Sequence, residues 1–416
     1  MDTIHERCAG IDISKTDLKV CIRVPDGSRR RKETRTFSTM TKDLLAMRDW
    51  LVAEQITLVG MEATGAYWKA TFYLLEQEME CWLLNARHMK AVPGRKTDVK
   101  DAEWIAELIE HGLVRPSFVP PEPIRQLRDL TRYRTEVIRE RTREAQRLEK
   151  LLEDTGIKLS VVVSDLLGKS ARAMLEALIA GERDPLILAE MALASMRRKR
   201  LVLAEALTGR FTDHHAFMAR AMLDRIDACT AMEARITAQI DVQVAPFRRQ
   251  LALIETIPAV GRRAAEIILA EIGADPTRFP TGAHLASWAG MCPGNNQSGT
   301  RIKATPTRHG DPWLKGILGQ VAMNAARSKG TYLGARYRRI ASRRGSKRAM
   351  VAVGHTILLA VWTMLTHDLA YTDLGGDYFT ERLNPQGKAR QARRLIDHLG
   401  QLGYRVTLEP LQAVTN

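Results

Sequence analysis

RCAGIDI (Arg7–Ile13), SKTD (Ser14–Asp17) and LKVCIRV (Leu18–Val24) read as two β-prone runs joined by a polar turn. A basic loop follows (Arg29, Arg30, Arg31, Lys32), then a brief extended run at Thr34–Ser38. Lys42–Glu54 has helical spacing, with Leu44, Leu45, Met47 and Leu51 on one face. Ile56–Met61 is continuously apolar, the mark of a central strand buried on both sides. Ala66–Glu78 reads as a helix, Cys81–Leu84 as a short strand, and Val99–Glu110 as a helix ended by Gly112. Three strands, helix, strand, helix, strand, helix fit an α/β, RNase H-like core over residues 1–122.

Asp12 sits inside the first of these runs. A charged group in a strand core is costly unless it is paired or metal-bound. Glu62 directly follows the central strand, in VGMEATGAYW. Asp98 and Asp101, in KTDVKDAEW, stand three apart at a helix start and share one face. Strand ends and a helix start converge at one edge of an α/β sheet. Four carboxylates there suit two hard divalent ions such as Mg²⁺. Paired metals about 3.5–4 Å apart activate a nucleophile and stabilise the leaving oxygen in phosphodiester chemistry. Each acid also has a plainer reading. Asp98 suits an N-cap, Asp101 a capping-box acid, Asp12 a turn and Glu62 a solvated strand end. Their joint placement on two strands and the following helix favours the metal.

Beyond this domain, VPPEP (Val119–Pro123) marks a linker. Ile124–Leu152 follows as a long, partly heptad-spaced helix, and Ala171–Ile240 as a second helical stretch broken near Gly181–Pro185 and Thr208–His215. Residues 123–250 therefore read as a helical coiled-coil or oligomerisation region, with RNA contact by its arginines as the other reading. From Leu251 a turn and then a helix are expected over Glu255–Gly273, with further helices at Phe279–Gly290, Pro312–Ala326 and Ser346–Thr366, making residues 251–372 a mainly α domain. Residues 373–416 form a polar tail with a short helix at Lys388–Leu399.

The 416 residues carry 63 Lys and Arg against 48 Asp and Glu, a net charge of +15. With 45% apolar residues the chain folds rather than trailing as a basic tail. Such a balance selects a polyanionic partner, nucleic acid or an acidic membrane. The most apolar run, Met350–Leu365, contains His355 and falls short of the roughly 20 residues that span a bilayer, so it reads as a buried helix. That leaves nucleic acid, with no membrane. The charged opening MDTIHERCAGIDISK lacks the apolar core of a secretory signal. Five scattered cysteines without a CxxC pair exclude a disulfide framework and a structural zinc site of ordinary spacing, and suit a cytoplasmic protein.

The second informative segment is AGMCPGNNQSGTRIKATPTRHGDPWLK (Ala289–Lys315). Ser298 lies among Arg301, Lys303 and Arg308, cations that offset phosphate charge. No base is evident beyond His309, so on the residues alone Ser298 reads first as a turn residue. Residues 301–348 hold thirteen Lys and Arg against one acid, Asp311. Candidate nucleic-acid contacts here are Arg301, Lys303, Arg308, Lys315, Arg338, Arg339, Arg343, Arg344, Lys347 and Arg348, with Tyr332 and Tyr337 stacking on bases or packing in the core. Upstream, ETIPAVG (Glu255–Gly261) leading into Arg262–Ile272 resembles a helix-hairpin-helix with Ala259 in place of its first glycine; a plain helix–helix connection is the alternative.

GIDISK around Asp12, MEATG around Glu62 and KTDVKDA around Asp98 and Asp101 resemble the motifs of the DEDD transposases. These are the insertion-sequence family numbered one hundred and ten, related to pilin-gene DNA invertases. A second family pattern, similar to G-x-x-P, then SG, then G-x-x-x-L-K/R, is met by Gly290, Pro293, Ser298, Gly299, Gly310, Leu314 and Lys315. Prolines at 306 and 312 depart from commoner members. The motifs lie in residues 5–118 and 250–370, and the helical middle fits in arrangement only.

The resemblance implies a Holliday-junction-resolvase-like, RNase H-like domain whose Asp12, Glu62, Asp98 and Asp101 hold Mg²⁺ or Mn²⁺. It implies a C-terminal serine transposase domain in which Ser298 attacks a DNA phosphate to form a phosphoserine link. The implied partners are donor and target DNA, a structured non-coding guide (bridge) RNA that chooses sequence, and further copies of the chain as a dimer or tetramer, with a site composite between protomers. Two alternatives carry different chemistry. One is a metal-dependent, structure-selective nuclease (a branched-DNA resolvase) without covalent serine chemistry. The other is a non-enzymatic nucleic-acid-packaging protein, which gains nothing from clustered carboxylates.

Overall fold

The computed structural model describes residues 2–63, 65–85, 89, 101–294, 297–302, 305–382 and 385–407. Two compact units follow one another along the chain, Met1–Val119 and Pro120–Asn416.

In the first unit the strands are β1 (Cys8–Ile13), β2 (Asp17–Asp26), β3 (Arg29–Ser38), β4 (Leu58–Glu62), β5 (Glu80–Leu84) and β6 (Pro116–Ser117), and the helices are α1 (Thr41–Ala53), α2 (Trp68–Leu75) and α3 (Asp101–Glu110). The strands lie in the order β3-β2-β1-β4-β5-β6. β4 is parallel to both β1 and β5, while β2, β3 and β6 pair antiparallel, so the sheet is mixed. This arrangement is compatible with an RNase H-like domain.

Alternation along the strands builds two cores. Ala9, Ile11 and Ile13 of β1 join Leu18, Val20 and Ile22 of β2 against Leu44, Met47 and Leu51 of α1 and Phe72 and Leu75 of α2. The opposite face carries Cys8, Leu58 and Leu84 against Ile105, Leu108 and Ile109 of α3. The sequence reading of Arg29–Lys32 as a loop is corrected: all four belong to β3, which pairs with β2 from Asp26↔Arg29 to Asp17↔Ser38. A charged, outermost strand shows little apolar alternation, and such charge blunts an exposed edge.

In the second unit, α4 (Glu122–Asp154) and α5 (Asp213–Gln243) run antiparallel. Gln126 meets Gln243 at one end, and Glu144 meets Arg225 towards the other. Short helices between them, Lys169–Ile179 and Pro185–Glu190 among them, wrap the far end of the pair into a separate core around Leu152, Met174, Leu175, Leu188 and Leu223.

Then come α6 (Arg248–Glu255), α7 (Arg262–Ile272), α8 (Gly282–Trp288), the small hairpin β7 (Gln297–Ser298) and β8 (Arg301–Ile302), α9 (Pro312–Arg327), α10 (Tyr332–Arg344), α11 (Ser346–His367), α12 (Tyr378–Glu381) and α13 (Pro385–Gln401). α11 is long and apolar enough to cross a membrane by composition. However, Val353, Ile357, Leu358 and Val361 along it are fully buried, and it packs against α8, α9 and α10. It is the central helix of this part of the chain.

Candidate functional site

In the first unit, β1 and β4 are parallel, with Gly10 opposite Gly60 and Ile11 opposite Met61. One step further along the register, Asp12 and Glu62 end up side by side at the C-terminal ends of the two strands. Residues two apart share a face. Asp12 therefore lies on the face of Gly10 and Cys8, and Glu62 on that of Gly60 and Leu58.

This is the face that α3 covers. A Cβ on Gly10 would stand 2.3 Å from the Ala102 carbonyl oxygen and 2.4 Å from the Ala106 nitrogen, so only glycine admits the helix this close. α3 runs opposite to β1. The Cys8 thiol donates to the Ala106 carbonyl at 3.6 Å, whereas Gly10, nearer the end of the strand, meets Ala102 as well. The N-terminus of α3, which begins at Asp101, therefore points to the edge that carries Asp12 and Glu62. All three acids are half-buried.

The donors at this edge are carboxylate oxygens, the chemistry of a hard divalent cation. Cys8 shares the face but lies four residues back along the strand, where it is fully buried with its thiol turned to the Ala106 carbonyl, and burial pushes that thiol up to about 12. Asp98 lies outside the described residues. Among the described residues, no three His, Cys, Asp or Glu side chains gather closely enough to hold a metal ion. The backbone thus brings three of the four acids to one edge without closing a ligand shell around a cation. At the other end of α3, Glu110 is buried between Arg23 and Arg30, each at 2.6 Å, so these two cations are consumed in holding the helix down.

In the second unit, Ser298 is the last residue of β7, paired with Arg301 of β8 across the turn Gly299–Thr300. Below the hairpin a second pairing continues, with Pro293 opposite Thr307 and the Gly294 amide donating to the Pro306 carbonyl at 3.1 Å. The base of the loop is pinched shut: a Cβ on Gly310 would stand 2.4 Å from the Ala289 carbonyl and the Gly290 nitrogen.

Asp311 then caps α9, accepting from the Leu314 amide at 2.8 Å. The Lys315 ammonium turns back to the Arg308 carbonyl at 2.8 Å. Lys315 therefore braces the loop, while the Arg308 side chain is exposed. Lys303 and the side chains of Ser298 and Arg301 lie outside the described residues.

α4 locks onto this region through buried charge, which sequence reasoning did not find. Arg132 holds the fully buried Glu271 of α7 through two hydrogen bonds, at 2.8 and 2.7 Å, and reaches Asp311 at 3.1 Å. Arg128 donates to the Ala270 and Glu271 carbonyls, capping the C-terminus of α7. Arg134 pairs with Glu266 at 2.7 Å, both almost completely buried. The Trp313 ring, at the start of α9, lies under Arg132 and Arg139. The usable signal was Glu266 and Glu271 inside the apolar helix AEIILAEI.

Arg338, Arg339, Arg343, Arg344, Lys347 and Arg348 are all exposed, at the end of α10 and the start of α11. Among the described residues none of the six faces a carboxylate within ion-pair distance. Several arginines elsewhere behave differently. Arg30, Arg31 and Arg35 of β3 meet Glu110, Glu33 and Glu54, and Arg132, Arg134, Arg141 and Arg147 of α4 meet Glu271, Glu266, Glu233 and Glu144. The α10–α11 corner thus presents a run of exposed cations without such partners among the described residues, the arrangement that attracts a phosphate backbone.

The turn between α6 and α7 carries Ala259 at φ 72°, in the left-handed region. The amide of Ala265 returns to the Gly261 carbonyl at the start of α7.

Comparison with known proteins agrees with this layout. Residues 9–157 match the model of the DEDD transposases of the IS110 type, described as a transposase, and residues 251–338 match the transposase IS116/IS110/IS902 family. The transposase for insertion sequence element IS1111A of Coxiella burnetii is 24% identical over 375 residues, covering 87% of this chain and 90% of the relative. A probable family 20 transposase of Pseudomonas aeruginosa is 25% identical, covering 78% of this chain and 88% of the relative. An insertion element IS110 protein of Streptomyces coelicolor is 37% identical over 107 residues, about a quarter of each chain.

Proposed function

The chain belongs to the IS110-family insertion-sequence transposases and is a DNA transposase, and from that membership we propose that it cuts and rejoins DNA through Ser298 with the help of a carboxylate-held divalent ion. The observation that carries the reading is the placement of Asp12, Glu62 and Asp101 on one face at one edge of the sheet. With Asp98 they form a hard, all-oxygen donor set suited to Mg²⁺ or Mn²⁺. When bound, such an ion neutralises phosphate charge and eases formation of the attacking oxygen.

The Ser298 hydroxyl attacks the DNA phosphorus and gives up its proton. The bond from phosphorus to the deoxyribose oxygen breaks, and that oxygen takes a proton. A hydroxyl of the partner strand then attacks the phosphoserine and restores both the phosphodiester and the serine. The number of phosphodiester bonds is conserved, so the exchange needs no outside energy source. The pinched loop base at Gly290 and Gly310, the Lys315 brace and the Asp311 cap hold the hairpin that bears the serine. The exposed cations at the α10–α11 corner hold the DNA backbone.

We assign residues 1–122 to the metal-bearing domain, 123–250 to a coiled-coil oligomerisation region, 251–372 to the serine transposase domain and 373–416 to the tail. Backbone contacts carry no sequence information. A structured guide RNA supplies the choice of donor and target, and further copies of the chain complete the assembly.

The test is recombination between donor and target plasmids with the wild type, Asp12→Asn and Ser298→Ala. Both variants are expected to lose recombination at unchanged Tm, and only the wild type and Asp12→Asn retain the serine that forms a covalent protein–DNA adduct. Cleavage by Ser298→Ala at the wild-type rate favours a branched-DNA nuclease instead. Full activity in both variants ends the mechanism.

A further inference from the structure

Tyr332, read in the sequence as stacking on bases or packing in the core, belongs to an aromatic cluster of the second unit whose other rings, Tyr378 and Phe379, have no part in the chemistry or motifs above. Tyr332, at the start of α10, stacks on Phe379 of α12 with centroids 5.3 Å apart and planes at 23°. Tyr378 stands edge-on to both rings, at 5.0 and 5.2 Å. Guanidiniums cover two of the faces: Arg339 lies over Phe379 at 4.9 Å and Arg382 over Tyr378 at 4.3 Å. Arg336 donates to the Tyr332 hydroxyl at 3.4 Å, while its buried Nε has no hydrogen-bond partner. None of the three guanidiniums meets a carboxylate among the described residues.

Anchoring of the tail does not account for these rings. Other contacts already anchor it: the Asp373 carboxylate accepts from the amides of Tyr332 and Gly375, and Gly376 packs on Gly330. The rings remain half-buried rather than sealed, and α12 has no buried residue. Stacked rings edged by unpaired guanidiniums match the two halves of a nucleotide, a flat base and an anion. A duplex keeps its bases stacked on one another, so only an unpaired base can reach such rings.

We propose that Tyr332, Tyr378 and Phe379, with Arg336, Arg339 and Arg382, form a binding site for an unpaired nucleotide of a single-stranded nucleic acid. The base extends the ring stack, and the phosphate takes the outward edges of the guanidiniums. The site rests on the reading of this unit as a nucleic-acid binder, but not on the serine or metal chemistry.

The test uses the full chain with labelled oligothymidine, oligouridine and a duplex of mixed sequence, read by fluorescence anisotropy. The double variant Tyr378→Leu, Phe379→Leu keeps apolar bulk in the tail. It is expected to weaken single-strand binding about tenfold, leaving duplex binding within about twofold of the wild type. Tyr378→Phe is expected to retain wild-type binding, and Arg343→Ala to weaken single strand and duplex together. A larger loss for oligouridine identifies an RNA strand, and a larger loss for oligothymidine a DNA strand. Equal losses for single strand and duplex, or none for either, overturn the site. Wild-type binding to duplex alone overturns the site and leaves the DNA reading standing; no binding to any probe overturns both.

Discussion

Ala259 holds a backbone conformation that its own side chain opposes. At φ 72° the Cβ crowds the following carbonyl, a cost of about 1–2 kcal/mol that glycine escapes. The turn it occupies joins α6 to α7, and Ile257 and Val260 beside it are buried, so the surrounding core imposes the angle. Ala259→Gly is therefore expected to stabilise the protein by about 1 kcal/mol, after the extra entropy of the unfolded glycine is taken off. Chemical denaturation of the full chain checks this through the position of the transition that reports the second unit. An unchanged or lowered midpoint means that the angle is not strained. If the turn also holds a phosphate, the glycine variant binds duplex at least as well as the wild type, because only main-chain groups are needed there.

Among the elements, α4 owes its place to arginines that answer acids more than a hundred residues away. Arg132→Ala leaves the fully buried Glu271 with Arg128 alone, at 3.2 Å. The expected loss is about 2 kcal/mol, short of the roughly 3–5 kcal/mol of a stripped buried charge because Arg128 remains. Arg132 also holds Asp311, the cap of the helix that follows the serine loop. The same change should thus lower recombination more than the Tm shift explains, and adding Glu271→Gln should recover the Tm but not the activity. Recovery of both would show that Arg132 acts on stability only. This clamp also marks where sequence reading stops. The acids of β1 and β4 stood out because each interrupts or ends an apolar run, and Asp101 of α3 because it stands at a helix start. The long α4 was legible from its spacing. Glu266 and Glu271 interrupt an apolar run too, but their partners lie 132 and 139 residues away, and no local pattern points to them. β3 was hidden because its arginines pair with Glu33, Glu54 and Glu110 rather than alternating with apolar residues. α10 was hidden because five arginines mask its period, and its buried side rests on little more than Leu333 and Gly334. The two-residue strands β7 and β8 are too short to carry any period at all.

On the scale of the whole molecule, the net charge is divided as unevenly as it can be. Residues 1–119 hold eighteen Lys and Arg and eighteen Asp and Glu, so the entire +15 belongs to the second unit. Charge counting alone would still treat every arginine of that unit alike. The ion pairs separate them: cations on α4 neutralise buried acids, whereas those at the α10–α11 corner face solvent. Only the second kind can release counterions when a phosphate binds, and the logarithm of the binding constant falls with that of the salt concentration by about 0.9 per phosphate neutralised. In duplex binding by the full chain, Arg343→Ala with Arg344→Ala is expected to reduce that slope by about 2. Arg31→Ala with Arg35→Ala on β3 should leave it unchanged, since both cations already sit on carboxylates. Titrations across a range of salt concentrations distinguish the two sets, because the slope counts contacts whatever the affinity at any one salt. A β3 pair that moves the slope as far as the corner pair would mean that DNA strips those ion pairs apart, and the surface that holds it would then extend to the neutral unit.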